Sequence, residues 1–348
     1  MDEIHGVDGI HGGDVYRNRV HMDFSVNTNP LGMPEGMEEA LCAAIKKCGQ
    51  YPDMRAEELY GAISSSFQIP REYLLFGNGA SELFMAIVHG LRPRRTVIPV
   101  PSFYGYEYAA GAVSGEIVYY SLEETNQFLP DEGLIDILTE DVDLLFLANP
   151  NNPTGKLTDR AYLEKLLEVC REKQITVVLD ECFLAFCAGA RSLLPEIEKY
   201  EHLLLVGAFT KIFAIPGVRL GYLVCSNQEL MEKIKRQLPE WNLSVFAQAA
   251  GAVCGNQSEF IARTAHYVRA ERAFLENGLQ KLGIRVYPGE ANFILLRSEK
   301  PLYEGLLERG ILIRDCGNFR GLSKGYYRIA IRTRAENEKL LKNMGEIM

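Results

Sequence analysis

No apolar run in this sequence approaches the roughly 18 residues a membrane-spanning helix needs, so a membrane protein is not expected. There is no lysine- or arginine-rich tract, and 46 acidic residues outnumber 37 basic ones, for a net charge of −9. Nucleic acid and anionic membranes are therefore not expected as general partners. No CxxC pair occurs. The eight cysteines (Cys42, Cys48, Cys170, Cys182, Cys187, Cys225, Cys254 and Cys316) are scattered, as free thiols of a cytoplasmic protein would be. No histidines or cysteines stand at metal-ligand spacing, so no metal site is expected. The opening MDEIHGVDGIHGG is acidic and lacks the apolar centre of a signal peptide. No internal repeat or low-complexity segment stands out.

What is present is the makings of a large core, with 47% hydrophobic and 24% charged residues in 348. That length suggests about two domains as a soft prior. Residues 1–34, rich in glycine, asparagine and proline, read as an extended arm that packs with the smaller domain. A helix follows from Pro34, with Met37, Leu41, Ala44, Ile45 and Cys48 on one face. Beyond it, apolar β-rich runs at 95–100, 116–120, 143–148, 175–180, 202–209 and 219–225 form candidate strands. Helical stretches near 80–91, 103–113, 131–139 and 158–173 separate the earlier ones. Several strands are continuously apolar, which suits a sheet covered on both faces. The alternation predicts an α/β domain with a mostly parallel central sheet over 35–243. From about 244 a long helix near 257–282 and shorter strands predict a smaller α+β domain, 244–348.

In such sheets ligands bind outside the carboxyl ends of the strands, and four turns there are candidates. FGNGASE (76–82) reads either as a plain strand–helix turn or as a glycine-lined cradle offering helix N–H groups to an anion. ANPNNPTG (148–155) is a rigid loop, either a tight turn or a mount for an amide side chain. ITVVLDECF places Asp180 and Glu181 after an apolar strand, solvated or holding a cationic heterocycle. GAFTKIFAIPGVRLGY (207–222) sets Lys211 and Arg219 in apolar surroundings, where cations seldom sit without a purpose. Pyridoxal phosphate would use all four turns: a lysine for its covalent bond, a carboxylate for its ring nitrogen, a donor for its phenolic oxygen and a phosphate cradle. An apolar setting lowers a lysine's pKa and improves it as a nucleophile.

Together and in this order, these residues resemble the fold-type I pyridoxal-phosphate enzymes, the aspartate aminotransferase superfamily. NPNNPTG, then Asp180, then the TK…PG·R·G stretch is the most specific part, and the match spans nearly the whole chain. The resemblance implies that fold, a large domain plus a smaller one. It implies Lys211 as the covalent cofactor lysine and Asp180 as the partner of the ring nitrogen. Asn152 would bond the phenolic oxygen, and Gly79, Ala80, Ser81, Thr210 and Arg219 would hold the phosphate. Phe103 of PSFYGY would stack on the ring. Tyr51 of QYPD would reach the phosphate of a neighbouring subunit, which implies a homodimer with shared sites. One departure is Phe183, where many relatives carry a tyrosine that adds a second bond to the phenolic oxygen.

Two branches of the superfamily fit best, the threonine-phosphate decarboxylases of cobalamin synthesis and the histidinol-phosphate aminotransferases. Both take phosphorylated substrates. HGGD (11–14) and DFSVNTNPLGMP (23–34) resemble the decarboxylases more, as do TKIFAIPGVRLGYLV and YYRIAIRTRAEN. Serine phosphate is a variant substrate, and a non-catalytic ligand sensor on the same scaffold is a remote alternative. By the same resemblance His11 and Asn27 would face the substrate, Arg328 would bind its carboxylate and Arg314 its phosphate. Arg332 is either a further anion contact or a surface arginine. Residues 311–334 carry six cations against Asp315 alone, which suits an anionic substrate. His5, His21, His89, His202 and His266 fall in no motif.

Overall fold

The computed structural model describes residues 11–348, so the first ten residues, His5 among them, lie outside the description. At its centre is a sheet of seven strands in the order Leu74–Gly77, Gly221–Val224, Leu203–Ala208, Thr176–Asp180, Leu144–Ala148, Arg95–Val100 and Glu116–Ser121. All run the same way except Gly221–Val224, which is antiparallel to both neighbours.

The continuously apolar runs explain the layering. Side chains along a strand alternate between faces, and here both faces are buried. Leu145 and Leu147 join one core while Leu144, Phe146 and Ala148 join the other. Val177 and Leu179 divide from Val178 in the same way, as do Leu203 and Leu205 from Leu204 and Val206. A sheet wrapped on both sides offers only its ends to a ligand. The helices that cover it are capped by their own sequence. Asp159 accepts from the N–H groups of Ala161 and Tyr162 at the head of Arg160–Glu172, and Thr333 and Glu336 form a capping box at Arg334–Gly345.

The C-terminal region forms a four-stranded antiparallel sheet, Arg314–Asp315, Tyr326–Ala330, Phe293–Arg297 and Arg285–Tyr287, beside the helix Ser258–Lys281. The arm is tied to it: Met22–Asp23 pairs in parallel with Ile311–Leu312, and the Ala330 N–H donates to the Phe24 carbonyl at 2.8 Å. Farther on, the Asn29 side chain donates to the Ile212 carbonyl at 2.7 Å. One segment thus links the small sheet to the loop that carries Lys211.

Among the described residues, four helices escaped the sequence reading: Glu57–Phe67, the short Phe209–Ile212, Gln228–Lys235 and Val245–Cys254. The first contains Gly61 and three consecutive serines, all weak helix formers. The last is apolar and small-residued all round, and it packs on Met37–Ile45 and Glu57–Phe67. That contact is close, since a Cβ at Gly251 would lie 2.2 Å from Leu59 Cδ1. The strand expected over 219–225 begins only at Gly221, because Arg219 takes a left-handed φ of 61°. Among the described residues, no helix is long and apolar enough to cross a membrane.

Candidate active site

The carboxyl ends of the parallel strands open into a cavity of about 1350 Å³. Of the fifteen residues to which the resemblance gives a role, all but Tyr51 and Arg332 line it. Glu181 does not, its carboxylate accepting instead from the Ser192 hydroxyl and the Leu193 N–H.

The anion cradle lies between the first strand and the helix Ala80–Leu91. Gly79 takes φ +77°, and no side chain caps the helix, so its first N–H groups face the cavity unshielded. The Arg219 guanidinium presses on this turn, donating to the Asn78 carbonyl at 3.3 Å and the Pro216 carbonyl at 3.2 Å. A Cβ at position 79 would lie 2.5 Å from Arg219 Nη2, and one at Gly221 would lie 2.6 Å from the Ala80 nitrogen. Only glycines allow this approach. Buried Thr210 and the cavity-lining Ser81 complete a set of donors suited to a phosphate.

Asp180 ends its strand, buried among apolar neighbours. Its Oδ1 accepts from the Cys182 N–H at 2.8 Å and its Oδ2 from the Tyr106 hydroxyl at 2.5 Å. Burial pushes the carboxyl above its usual range, and these donors pull it back. Lys211 projects from the short helix Phe209–Ile212. Desolvation, reinforced by the charges of Arg328 and Arg219, lowers its ammonium to about 8. That is the setting a lysine nucleophile needs.

The loop after Ala148 separates the roles of its asparagines. Asn151 is spent on the loop, donating to the Pro101 carbonyl at 3.1 Å and accepting from the Thr154 hydroxyl at 3.0 Å. Asn152 is left to the cavity, where its Oδ1 accepts from Arg328 Nη1. Phe103 holds its ring over Gly105, at which a Cβ would lie 2.2 Å from Phe103 Cε1. Phe183, the departure from the superfamily pattern, packs edge-on against Phe293 with ring centroids 5.1 Å apart. It offers no donor.

The opposite wall comes from the arm and the small sheet. Gly12 and Gly13 let the arm lie against Ser25, whose hydroxyl accepts from the Gly13 N–H at 2.7 Å. His11 thereby sits 5.9 Å, centroid to centroid, from Phe103. Burial, then the charges of Arg314, Arg328 and Lys211, lower its pKa and favour the neutral ring. Arg328 donates from Nη2 to the Ser25 carbonyl at 2.9 Å and lies over the Phe293 ring. Its buried Nε has no partner among the described residues, nor has the buried Oδ1 of Asn27. Arg314 is braced by the Asn318 side chain at 2.7 Å and by the Phe319 ring.

Two expected residues lie elsewhere. Tyr51 is 81% exposed, its ring 4.9 Å from that of Trp241. Arg332 turns to the Thr28 hydroxyl at 3.3 Å and to Glu336 at 3.4 Å. The basic cluster of 311–334 therefore disperses: Arg314, Arg320 and Arg328 line the cavity, while Arg334 pairs with Glu271. Arg320 is itself held by Glu107 at 2.8 Å. Sequence reasoning missed Tyr106, although PSFYGY places it three residues after Phe103.

The chain matches the family model described as aminotransferase class I and II over residues 19–344. It is 38% identical to the threonine-phosphate decarboxylase of Salmonella typhimurium, covering 94% of this chain and 91% of that one. The solved histidinol-phosphate aminotransferase of Clostridium acetobutylicum superposes with a TM-score of 0.88 at 33% identity, covering 94% of this chain and 98% of that one. The L-threonine-O-3-phosphate decarboxylase of Porphyromonas gingivalis gives a TM-score of 0.83 at 27% identity, covering 93% and 98%. The geometry fits the family's cofactor: a glycine-lined anion cradle, a desolvated lysine, a buried carboxylate held by two donors, and an aromatic wall. This chain belongs to the class I and II aminotransferase family of pyridoxal-phosphate enzymes.

Proposed function

We propose that the protein removes the carboxylate of a phosphorylated amino acid, converting threonine O-3-phosphate to aminopropanol phosphate and carbon dioxide in a cobalamin-type pathway. The observation that carries this reading is the substrate wall. The arm brings His11 and Asn27 beside two separately braced guanidiniums, Arg314 and Arg328, which suit the two anionic ends of such a substrate. The same activity in the relatives from Salmonella and Porphyromonas supports it. The second reading is an aminotransferase acting on histidinol phosphate, favoured by the likeness to the Clostridium structure. Serine phosphate differs from threonine phosphate by one methyl group, which a pocket discriminates by only about 1–3 kcal/mol.

In this reading the cradle of Gly79, Ala80, Ser81, Thr210 and Arg219 holds the cofactor phosphate, Asp180 the ring nitrogen, Asn152 the phenolic oxygen and Phe103 the ring face. Pyridoxal phosphate, when bound, supplies an electron sink for the pair left by a bond broken at the substrate's α-carbon. Arg328 holds the substrate carboxylate and Arg314 its phosphate, which fixes the orientation of the α-carbon. Loss of carbon dioxide leaves that carbon one proton short, and the Lys211 ammonium delivers it. With a pKa of about 8, Lys211 gives and recovers a proton near neutral pH. In the aminotransferase reading Lys211 instead removes the α-hydrogen as a base.

The same reading makes the protein a homodimer in which Tyr51, exposed in one subunit, completes the phosphate site of the other. Sedimentation would give the mass, and Tyr51→Phe would weaken cofactor binding.

The deciding assay is release of labelled carbon dioxide from carboxyl-labelled O-phospho-L-threonine without any keto acid. Stoichiometric release with aminopropanol phosphate is the expected result. Amino transfer from glutamate to imidazole-acetol phosphate, without release, would replace this reading with the second.

A further inference from the structure

We infer that Tyr106 is a positioning residue that keeps Asp180 an ionised, correctly turned acceptor for the ring nitrogen of pyridoxal phosphate. The inference rests on the family's cofactor and is independent of which phosphorylated substrate the protein takes.

Asp180 has a conflict to resolve. A carboxylate that pairs with a protonated ring must itself be charged, yet it is buried, and burial favours the neutral acid. The surroundings supply two donors, one to each oxygen: the Cys182 N–H at 2.8 Å and the Tyr106 hydroxyl at 2.5 Å. The second distance falls in the range of charge-assisted O–H···O⁻ bonds. A carboxylate has about four lone-pair sites, so both donors can be kept while a ring N–H is accepted.

Among the described residues the hydroxyl has no other hydrogen-bond partner. The Tyr106 ring is almost wholly enclosed, stacked on Phe146 at 5.1 Å and edge-on to Phe84 at 5.1 Å and to Phe103 at 5.7 Å. Those three rings fix its direction and offer no acceptor. Desolvation and the Asp180 charge hold the phenol well above its usual range, so it remains a donor. Phe103 is also the residue expected to stack on the cofactor. One short segment, 103–106, therefore sets both the ring face and, through Asp180, the ring nitrogen.

Without the hydroxyl, Asp180 becomes more basic and competes for the proton it should leave on the ring. Wild-type holoenzyme, Y106F, D180N and the double variant should be loaded with pyridoxal phosphate labelled with ¹⁵N in the ring, and the ring-nitrogen shift read by NMR. In wild type the shift should be that of a protonated nitrogen. Y106F, which keeps the packing, should move it towards the neutral position. D180N should give the neutral shift outright, and adding Y106F to it should change nothing further. A wild-type shift in Y106F would overturn the inference while leaving the cofactor reading intact. A neutral shift already in wild type would overturn both the inference and the pairing of Asp180 with the ring nitrogen.

Discussion

The two ends of the cavity are built in different ways. The cofactor end is made of turns, each within a few residues of a strand end: Gly79 after Leu74–Gly77, Asn152 after Leu144–Ala148, Asp180 closing Thr176–Asp180, Lys211 after Leu203–Ala208. The sheet order alone brings them together. The substrate end is assembled from afar, as when Arg328 donates to the carbonyl of Ser25, 303 residues earlier. In the proposed reading, the chemistry common to the family sits on local structure at the strand ends, and discrimination sits where the arm meets the small sheet. Decarboxylase and aminotransferase readings share the first end and must differ at the second.

The largest effect is expected at the cofactor end, from loss of the lysine. Lys211→Ala removes the covalent link and the proton carrier. Turnover should fall by about 10²–10⁴ from the lost proton transfer alone, and the visible absorbance of the bound cofactor should shift to that of free aldehyde. Retained turnover would sink the assignment of Lys211. In wild type the sign of the pKa shift is testable too. Burial disfavours the ammonium, so the free amine predominates above pH of about 8 rather than above 10.5. Cofactor-free protein should therefore react with pyridoxal phosphate at a rate that rises with pH and levels off above about 8. A midpoint near 10 would mean the cavity does not desolvate the lysine.

At the substrate end Arg328→Ala should lower kcat/KM on the order of 100-fold, since bonds to charged groups contribute about 1.5–3 kcal/mol. The visible band of the bound cofactor should be retained, with its pH dependence shifted, because Arg328 also acts on Lys211 and Asn152. Arg328→Lys should not rescue it, because an ammonium cannot serve Asn152, Ser25 and a carboxylate in one plane. Near-normal kcat/KM in the lysine variant would show that charge alone suffices there. A smaller effect is expected from Gly79→Ala, again at the cofactor end. The backbone there, φ 77° and ψ 172°, is essentially reserved for glycine and costs an alanine about 1–3 kcal/mol, and its Cβ would lie 2.5 Å from Arg219 Nη2. Cofactor affinity should drop roughly tenfold, with kcat little changed at saturating cofactor; unchanged affinity would show that the cradle yields.

This contrast also explains what could be read in the sequence. The strand at 95–100 was legible to the residue, because a buried strand is a bounded apolar run. That the residues proposed to hold the cofactor would gather in one cavity was legible because they fall in contiguous motifs at those strand ends. Tyr106 was not, since its role depends on a helical turn, Tyr104–Ala110, that carries its hydroxyl across to another strand. The helix Val245–Cys254 was lost for a related reason: its signal is the closeness of Gly251 to Leu59, a tertiary fact. In the basic stretch 311–334, charge counted along the chain could not say which arginines face the cavity.

Arg332 makes that last point testable, with the smallest effect of the set. Strand alternation would put residues 328, 330 and 332 on one face, and had the strand continued, Arg332 would share the cavity with Arg328. The strand ends at Ala330 instead, and the chain turns into the capping box of the last helix. The Glu336 that caps this helix also receives Arg332, while Thr28 takes its other nitrogen. Arg332→Ala should therefore lower stability by about 0.5–1 kcal/mol, the worth of a partly shielded ion pair, and change kcat/KM by less than about threefold, since a pair of that strength outside the cavity has little to give the transition state. A drop as large as that of Arg328→Ala would mean the side chain swings off Glu336 onto the substrate. The substrate end would then extend past the strand to the turn at Thr28, and the charge excess of 311–334 would belong to the site after all.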